Sequence, residues 1–266
     1  MMHSLFKVDG EKLIGDVNIP QKRGEVNATA HRGYSFRAPE NTLSAYRLAS
    51  QYGFINAECD VKFTKDNIPV LLHDDTIDRT SNGTGNLKDL TFDEVRKYDF
   101  GSWKSKEFIG EKIPTFDEFM KLCKELDLHA YIEIKETITA ERAQILIDIV
   151  DKYSLLGNVT WIAFGLNDLK LIKDIDDAAR LGYTQSKLDS SVINGANTLK
   201  TRYNEVFINV SHTSLNETNV KLCKDSGFPL EVWTVDSIKD LKAVDSYVTG
   251  ITSNWINVAY VLEELK

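Results

Sequence analysis

The chain has 266 residues, 42% of them apolar, and a formal net charge of −8. That length and composition suit one large α/β domain with a substantial core. The acidic balance, with neither a basic stripe nor a Lys/Arg-rich tail, excludes a general nucleic-acid or anionic-membrane surface, so a phosphate-bearing ligand would need a local cationic site. No apolar run approaches the roughly 20 residues that cross a bilayer, and the N-terminus lacks a signal-peptide core. We therefore expect a cytoplasmic protein, or an extracellular one if a signal peptide has been removed. Cys59, Cys123 and Cys223 are too few and too scattered for a disulfide framework or a thiolate site, and read as small buried hydrophobes.

Residues 1–27 lack periodicity and read as a lead-in packed on the main domain, with turns at Asp9-Gly10 and 20–24. A strand over 26–30 precedes a helix over 42–53, with Gly53 as its C-cap. The next strand, 55–63, is followed by extended chain over 68–73 that ends at His73. From 74 to 112 the rhythm stops, marking an insertion that contains a Gly-rich loop and a short helix over 92–98. The insertion is expected to shape the pocket, with Phe100, Trp103 and Phe108 lining it or packing on the barrel. Strand and helix then alternate: helix 115–126, strand 129–135, helix 140–153, strand 159–164 and helix 168–180. A short strand at 181–184, a moderately helical stretch at 192–202 and a strand at 206–210 come next. A helix from 219 to a stop at Gly227, strand 230–235, a helix through 242, strand 248–252 and a last helix to 265 complete eight units. Eight βα units over residues 28–266, with no Gly-rich dinucleotide turn after the opening strand, predict a (β/α)8 TIM barrel with a small insertion after the second strand region.

The ionisable residues gather at strand ends, where such barrels build their catalytic face. In AHRGYSFRAPENT, His31 and Arg32 close the opening strand, Gly33 lets the backbone turn, and Pro39 to Thr42 open a helix. Glu58 and Asp60 sit two apart and so project from one side of their strand, and Glu133 recurs near the end of another. Three inward carboxylates make a hard-cation site whose oxygen donors select Mg²⁺ or Ca²⁺ over Zn²⁺. The competing reading pairs them with Arg32, Lys62 and Lys135 on an ordinary polar barrel end.

Four blocks, HRG…PENT, E-x-D, PV…HD…RT…G-G and E-x-K, occur here in order, and in them the chain resembles the glycerophosphodiester phosphodiesterase family. The resemblance implies that His31 and His73 are the general acid and base, in an order the sequence leaves open, and that Glu58, Asp60 and Glu133 hold a divalent cation. It implies phosphate contacts from Arg32 and Lys135, an aromatic face for glycerol at Trp233, and orienting roles for Glu40 and Asn41. Asp74, Arg79 and Thr80 would order the loop after His73. The implied activity is hydrolysis of a small-molecule glycerophosphodiester to glycerol 3-phosphate and an alcohol.

Two departures stand out. Ala163-Phe164 replaces a Ser-Phe pair, and the stretch from Thr249 to Ser253 replaces Asp-Gly-Ile-x-Thr-Asp, so that a carboxylate is lost near Ser253 and substrate choice is opened. Two other functions stay open: a lyase that stops at a cyclic phosphate, and a non-catalytic binder of glycerophosphate polymers. Headgroup, choice of metal and oligomeric state are not written in the sequence.

Overall fold

In a computed structural model, residues 7–9, 12–14, 26–244 and 246–255 are described. Within the stretch read as lead-in, β1 (Lys7–Asp9) and β2 (Lys12–Ile14) form an antiparallel pair, and the turns expected at Asp9-Gly10 and 20–24 fall at least in part outside the described residues. No strand was expected there, because three-residue strands carry too little alternation to register. The expected last helix lies outside the described residues.

The main sheet holds β3 (Asn27–Ala30), β4 (Asn56–Phe63), β6 (His129–Ile134), β7 (Val159–Ala163), β8 (Arg180–Gln185), β9 (Val206–Ser211), β10 (Leu230–Trp233) and β11 (Gly250–Ser253). Neighbours run parallel, and β3 pairs with both β11 and β4, which closes the eight described strands into a (β/α)8 barrel. The connecting helices are α1 (Leu43–Gln51), α3 (Phe116–Leu126), α4 (Ala140–Lys152), α5 (Leu166–Ile175), α6 (Ser190–Asn197), α7 (Glu217–Ser226) and α8 (Ile238–Val244). Their starts follow local chemistry. Thr42, Thr115 and Thr139 each accept a hydrogen bond from the N–H three residues on, and Thr115 closes a capping box with Glu118. Gly227, at φ +75°, ends α7 in the left-handed region as expected. α1 ends one residue before expectation, with Tyr52 as its cap.

Alternation along each stave sorts core from site. Ala57, Cys59, Val61 and Phe63 of β4 pack outward against the helices, while Glu58, Asp60 and Lys62 point the other way. The outer shell joins Tyr46, Phe116, Phe119 and Trp161, all fully buried. All three cysteines are buried and unpaired.

Inside the barrel, Tyr131, Ile162 and Phe207 form an apolar plug, and Gly182 leaves room for Phe207, since a Cβ there would stand 2.2 Å from the ring. Below the plug, Arg180 donates to Glu231 at 2.8 Å and to Tyr131 and Thr160 at 2.9 Å. Arg180 was expected at the end of a helix over 168–180. The helix instead stops at Ile175, Asp176 accepts from the Ala178 N–H in a local turn, and Arg180 opens β8.

Just ahead of the insertion, within the stretch expected to be extended, β5 (Pro69–Leu71) runs back antiparallel along the top of β4. Val70, Leu72, Ile77, Leu87, Val95, Phe100 and Ile113 give the insertion its own small core, and its helix α2 (Phe92–Val95) is shorter than the expected 92–98.

Candidate active site

The site is assembled at the mouth by three short-range effects. At the end of β3 the chain reverses through Arg32 (φ +56°) and Gly33 (φ +75°), and a Cβ on Gly33 would stand 2.7 Å from Ala45, so α1 can approach only a glycine. Pairing of β4 with β6 places Asp60 opposite Glu133. The backward run of β5 brings Leu72 level with Asp60, its N–H donating to the Asp60 carbonyl at 2.9 Å, and delivers His73 to the same rim. His31, Arg32, Glu58, His73, Glu133, Lys135 and Trp233 then line one cleft of about 570 Å³, counting its space open to solvent.

Oxygens of Glu58, Asp60 and Glu133 lie within 4.8 Å of one another, and all three side chains are buried. Their protonation is pulled apart by surroundings. Burial, then Asp60 and Glu133, push Glu58 well above the usual carboxylate range. Burial and Asp60 push Glu133 up to about 7. Against its own burial, Arg32 and then Lys135 hold Asp60 below its ordinary value. Arg32 Nε stands 3.1 Å from Asp60 Oδ2, and Lys135 Nζ stands 2.7 Å from Glu133 and 3.7 Å from Asp60. Lys62 turns away to pair with Asp75. The polar-end alternative is thus only half realised, because Glu58 Oε1 and Asp60 Oδ1 are buried without a hydrogen-bond partner among the described residues. Two orphaned carboxylate oxygens facing a third acid suit a divalent cation, which would satisfy them and relieve the mutual repulsion.

Around these acids runs a chain of ion pairs. Glu40 accepts from Arg32 Nη1 at 2.7 Å and from both terminal nitrogens of Arg79 at 2.8 Å. Arg79 Nε donates at 2.6 Å to Asp74, whose other oxygen lies 2.6 Å from His73 Nδ1. Against burial, Arg79 and then Arg32 keep Glu40 below its usual range. Asn41, at φ +56°, donates to Asp60 Oδ2 at 2.7 Å and receives the Asp60 N–H at 3.1 Å and the Tyr46 hydroxyl at 3.0 Å. Thr80 is buried and does not line the cleft.

His31 is held by partners that sequence reading missed. Asp236 accepts from Asn254 Nδ2 at 2.6 Å and from the Asn254 backbone N–H at 2.8 Å. A carboxylate can only accept, so the amide is oriented and presents Oδ1 to His31 Nδ1 at 2.6 Å. His31 Nδ1 is then the protonated nitrogen, and Nε2 faces Glu58 at 4.0 Å. Burial, and then Arg32, lower the His31 pKa to about 4, so the ring is neutral at pH 7. Asn254 follows Ser253 and takes the position of the missing carboxylate, so that departure bears on His31, while Asp236 supplies a carboxylate one step back.

The remaining expectations divide. Trp233 lines the cleft and meets Phe164 edge-on, centroids 5.9 Å apart. Phe100 is buried in the insertion core, Trp103 donates to the Phe100 carbonyl, and neither these nor Phe108 reaches the cleft. No described residue of 74–112 lines it, so the insertion touches the site through Asp74 and Arg79.

Comparison with known proteins puts a class to this barrel: it is a phosphoric diester hydrolase. More narrowly, the chain belongs to the glycerophosphoryl diester phosphodiesterase family, whose model matches residues 31–258. It is 31% identical to a glycerophosphodiester phosphodiesterase of Caldanaerobacter subterraneus subsp. tengcongensis, over 86% of this chain and 96% of that protein. Glycerophosphodiester phosphodiesterase 1 of Homo sapiens is 43% identical over 121 residues, covering 45% of this chain and 37% of that protein. In fold, the chain resembles an Oleispira antarctica phosphodiesterase solved in complex with the product sn-glycerol-3-phosphate. The TM-score is 0.83 at 24% identity, over 90% of this chain and 97% of that one.

Proposed function

We propose that the protein hydrolyses glycerophosphodiesters to glycerol 3-phosphate and a free alcohol, with His31 as the general base and His73 as the general acid. The observation that carries the assignment is the contrast between the two imidazoles. His31 is neutral, its Nδ1–H given to the Asn254 amide, and Nε2 is left to take a proton. His73 rests its Nδ1 on the Asp74 carboxylate, leaving Nε2 for the leaving oxygen.

Glu58, Asp60 and Glu133 would hold a divalent cation, Mg²⁺ or Ca²⁺, which supplies positive charge against the phosphate oxygens. Arg32 and Lys135 border the same cleft, each already paired with acids that keep its charge in place, and orient the phosphate. His31 Nε2 takes the proton of the glycerol 2-hydroxyl as its oxygen attacks phosphorus, and His73 Nε2 protonates the departing alcohol. The resulting cyclic phosphate is opened by water, which gives its proton to His73 while His31 returns its own to the 2-oxygen. Trp233 offers an apolar face to the glycerol carbons.

Phosphorus NMR of glycerophosphocholine incubated with the protein and Mg²⁺ or Ca²⁺ tests this reading. Glycerol 3-phosphate should accumulate, and folded His31→Ala and His73→Ala variants should form none. A cyclic diester as the end product would assign a lyase instead, and no turnover across a panel of glycerophosphodiesters would leave a binding protein.

A further inference from the structure

Across the ring from β4, the cleft floor carries polar atoms that the mechanism above does not use. Asn209 of β9 is 4% exposed. Its Nδ2 donates to Thr184 Oγ1 at 3.3 Å, and its Oδ1 has no partner among the described residues. Exchanging the amide nitrogen and oxygen only transfers the orphan to the other end. Trp233 Nε1 is likewise buried without a partner. Buried polar atoms left in this condition are rare in folded proteins, and here the two residues that carry them line one cleft that opens to solvent.

The chemistry of this arc narrows what it accepts. Ile162, Thr184, Asn209, Trp233, Thr234 and Thr252 are all uncharged, so a second phosphate or a carboxylate would find no counter-charge. A quaternary ammonium on the adjoining aromatic pair would meet Lys135, whose ammonium lies 5.8 Å from the Phe164 ring centroid. A neutral hydroxyl, donor and acceptor at once, fits both orphans. We propose that Asn209 is a specificity-determining residue that reads the terminal hydroxyl of the substrate's glycerol moiety. The inference rests on the phosphodiesterase reading and adds the side chain that tells glycerol from a diol lacking that hydroxyl.

The experiment compares kcat/KM, with divalent cation present, for glycerophosphocholine and for the analogue whose terminal hydroxymethyl is a methyl group. Both keep the hydroxyl beside the phosphate. The wild-type protein should prefer glycerophosphocholine by roughly 10- to 100-fold. Asn209→Leu should lose that factor on glycerophosphocholine and stay within about twofold on the analogue. Asn209→Ala, checked for folding by its melting transition, gives the same comparison if leucine is not accommodated. Equal losses on both substrates, or no wild-type preference, would overturn the role of Asn209. A wild-type protein that turns over neither would overturn the phosphodiesterase reading itself.

Discussion

Asn254 Oδ1 meets His31 Nδ1 at 2.6 Å, across 223 residues of chain. The Asp236 carboxylate behind it leaves the amide one orientation, and that orientation decides which nitrogen of the ring carries the proton. Asn254→Ala should therefore let the ring rotate and lower kcat roughly 10- to 100-fold in a folded protein. Asn254→Asp sets a second carboxylate beside Asp236 and should also impair turnover, whereas adding Asp236→Asn should recover part of the loss. Steady-state kinetics in a double-mutant cycle measure this coupling. Wild-type kcat in Asn254→Ala would remove the role.

Arg79 ties Glu40 to Asp74, and so joins the loop after His31 to the loop after His73. Its side chain is 45% exposed, so its removal should cost little stability. We expect Arg79→Ala to reduce kcat about 10-fold with a melting temperature shifted by only a few degrees. Arg79→Lys should recover little, because an ammonium cannot bridge two carboxylates as a planar fork does. Full activity in the lysine variant would show that charge alone suffices.

Cation binding has a readout independent of turnover. Chelator-treated protein should gain melting temperature on addition of Mg²⁺ or Ca²⁺, with about 2.7 kcal/mol of added stability at a concentration about 100 times Kd. Glu58→Gln removes one of the clustered acids and should shrink the increment. Scanning calorimetry with and without cation is the measurement, and identical transitions would argue that the acids serve only Arg32 and Lys135.

At the opposite end of the barrel, burial first, with Arg180 nearby, lowers the His129 pKa to about 4, although Asn158 acts the other way. The ring sits 2.8 Å from Thr160 Oγ1 and 3.2 Å from Asn158 Oδ1. The unfolded chain protonates at its ordinary value near 6.5, so it binds the proton first as pH falls. The stabilising contribution is complete above about pH 6.5 and is lost toward pH 4, the loss amounting to at most about 2 kcal/mol at pH 5. Urea unfolding of His129→Asn should show a shallower loss over that window, and an unchanged slope would reject the assignment.

The barrel and the ends of most of its elements were legible because alternation and capping are local. Thr115 with Glu118 and the left-handed Gly227 each declare a boundary within a few residues. Arg180 was misplaced because apolar residues at helical spacing, Ile175 and Ala179, continue past the last turn of α5, and only the turn at Asp176 breaks it. At the site, His31, His73 and the three acids stand at strand ends and could be picked out in advance. Asn254, Asp236 and Asn209 could not, since each matters through partners distant in sequence that no spacing rule reaches. The signal for Asn254 was present in the departure after Ser253, and it read as a change of substrate where the structure places a partner of His31.

Every residue of β4 is buried, its apolar side chains set into the helical shell, Glu58 and Asp60 into the acid cluster and Lys62 toward Asp75. A slip of one residue would drive Glu58, Asp60 and Lys62 into hydrocarbon and turn Cys59 and Val61 toward substrate. Correct pairing of this stave is thus a precondition for bringing the acids together. Cys59, which lines no part of the cleft, thereby sets where its neighbours Glu58 and Asp60 point.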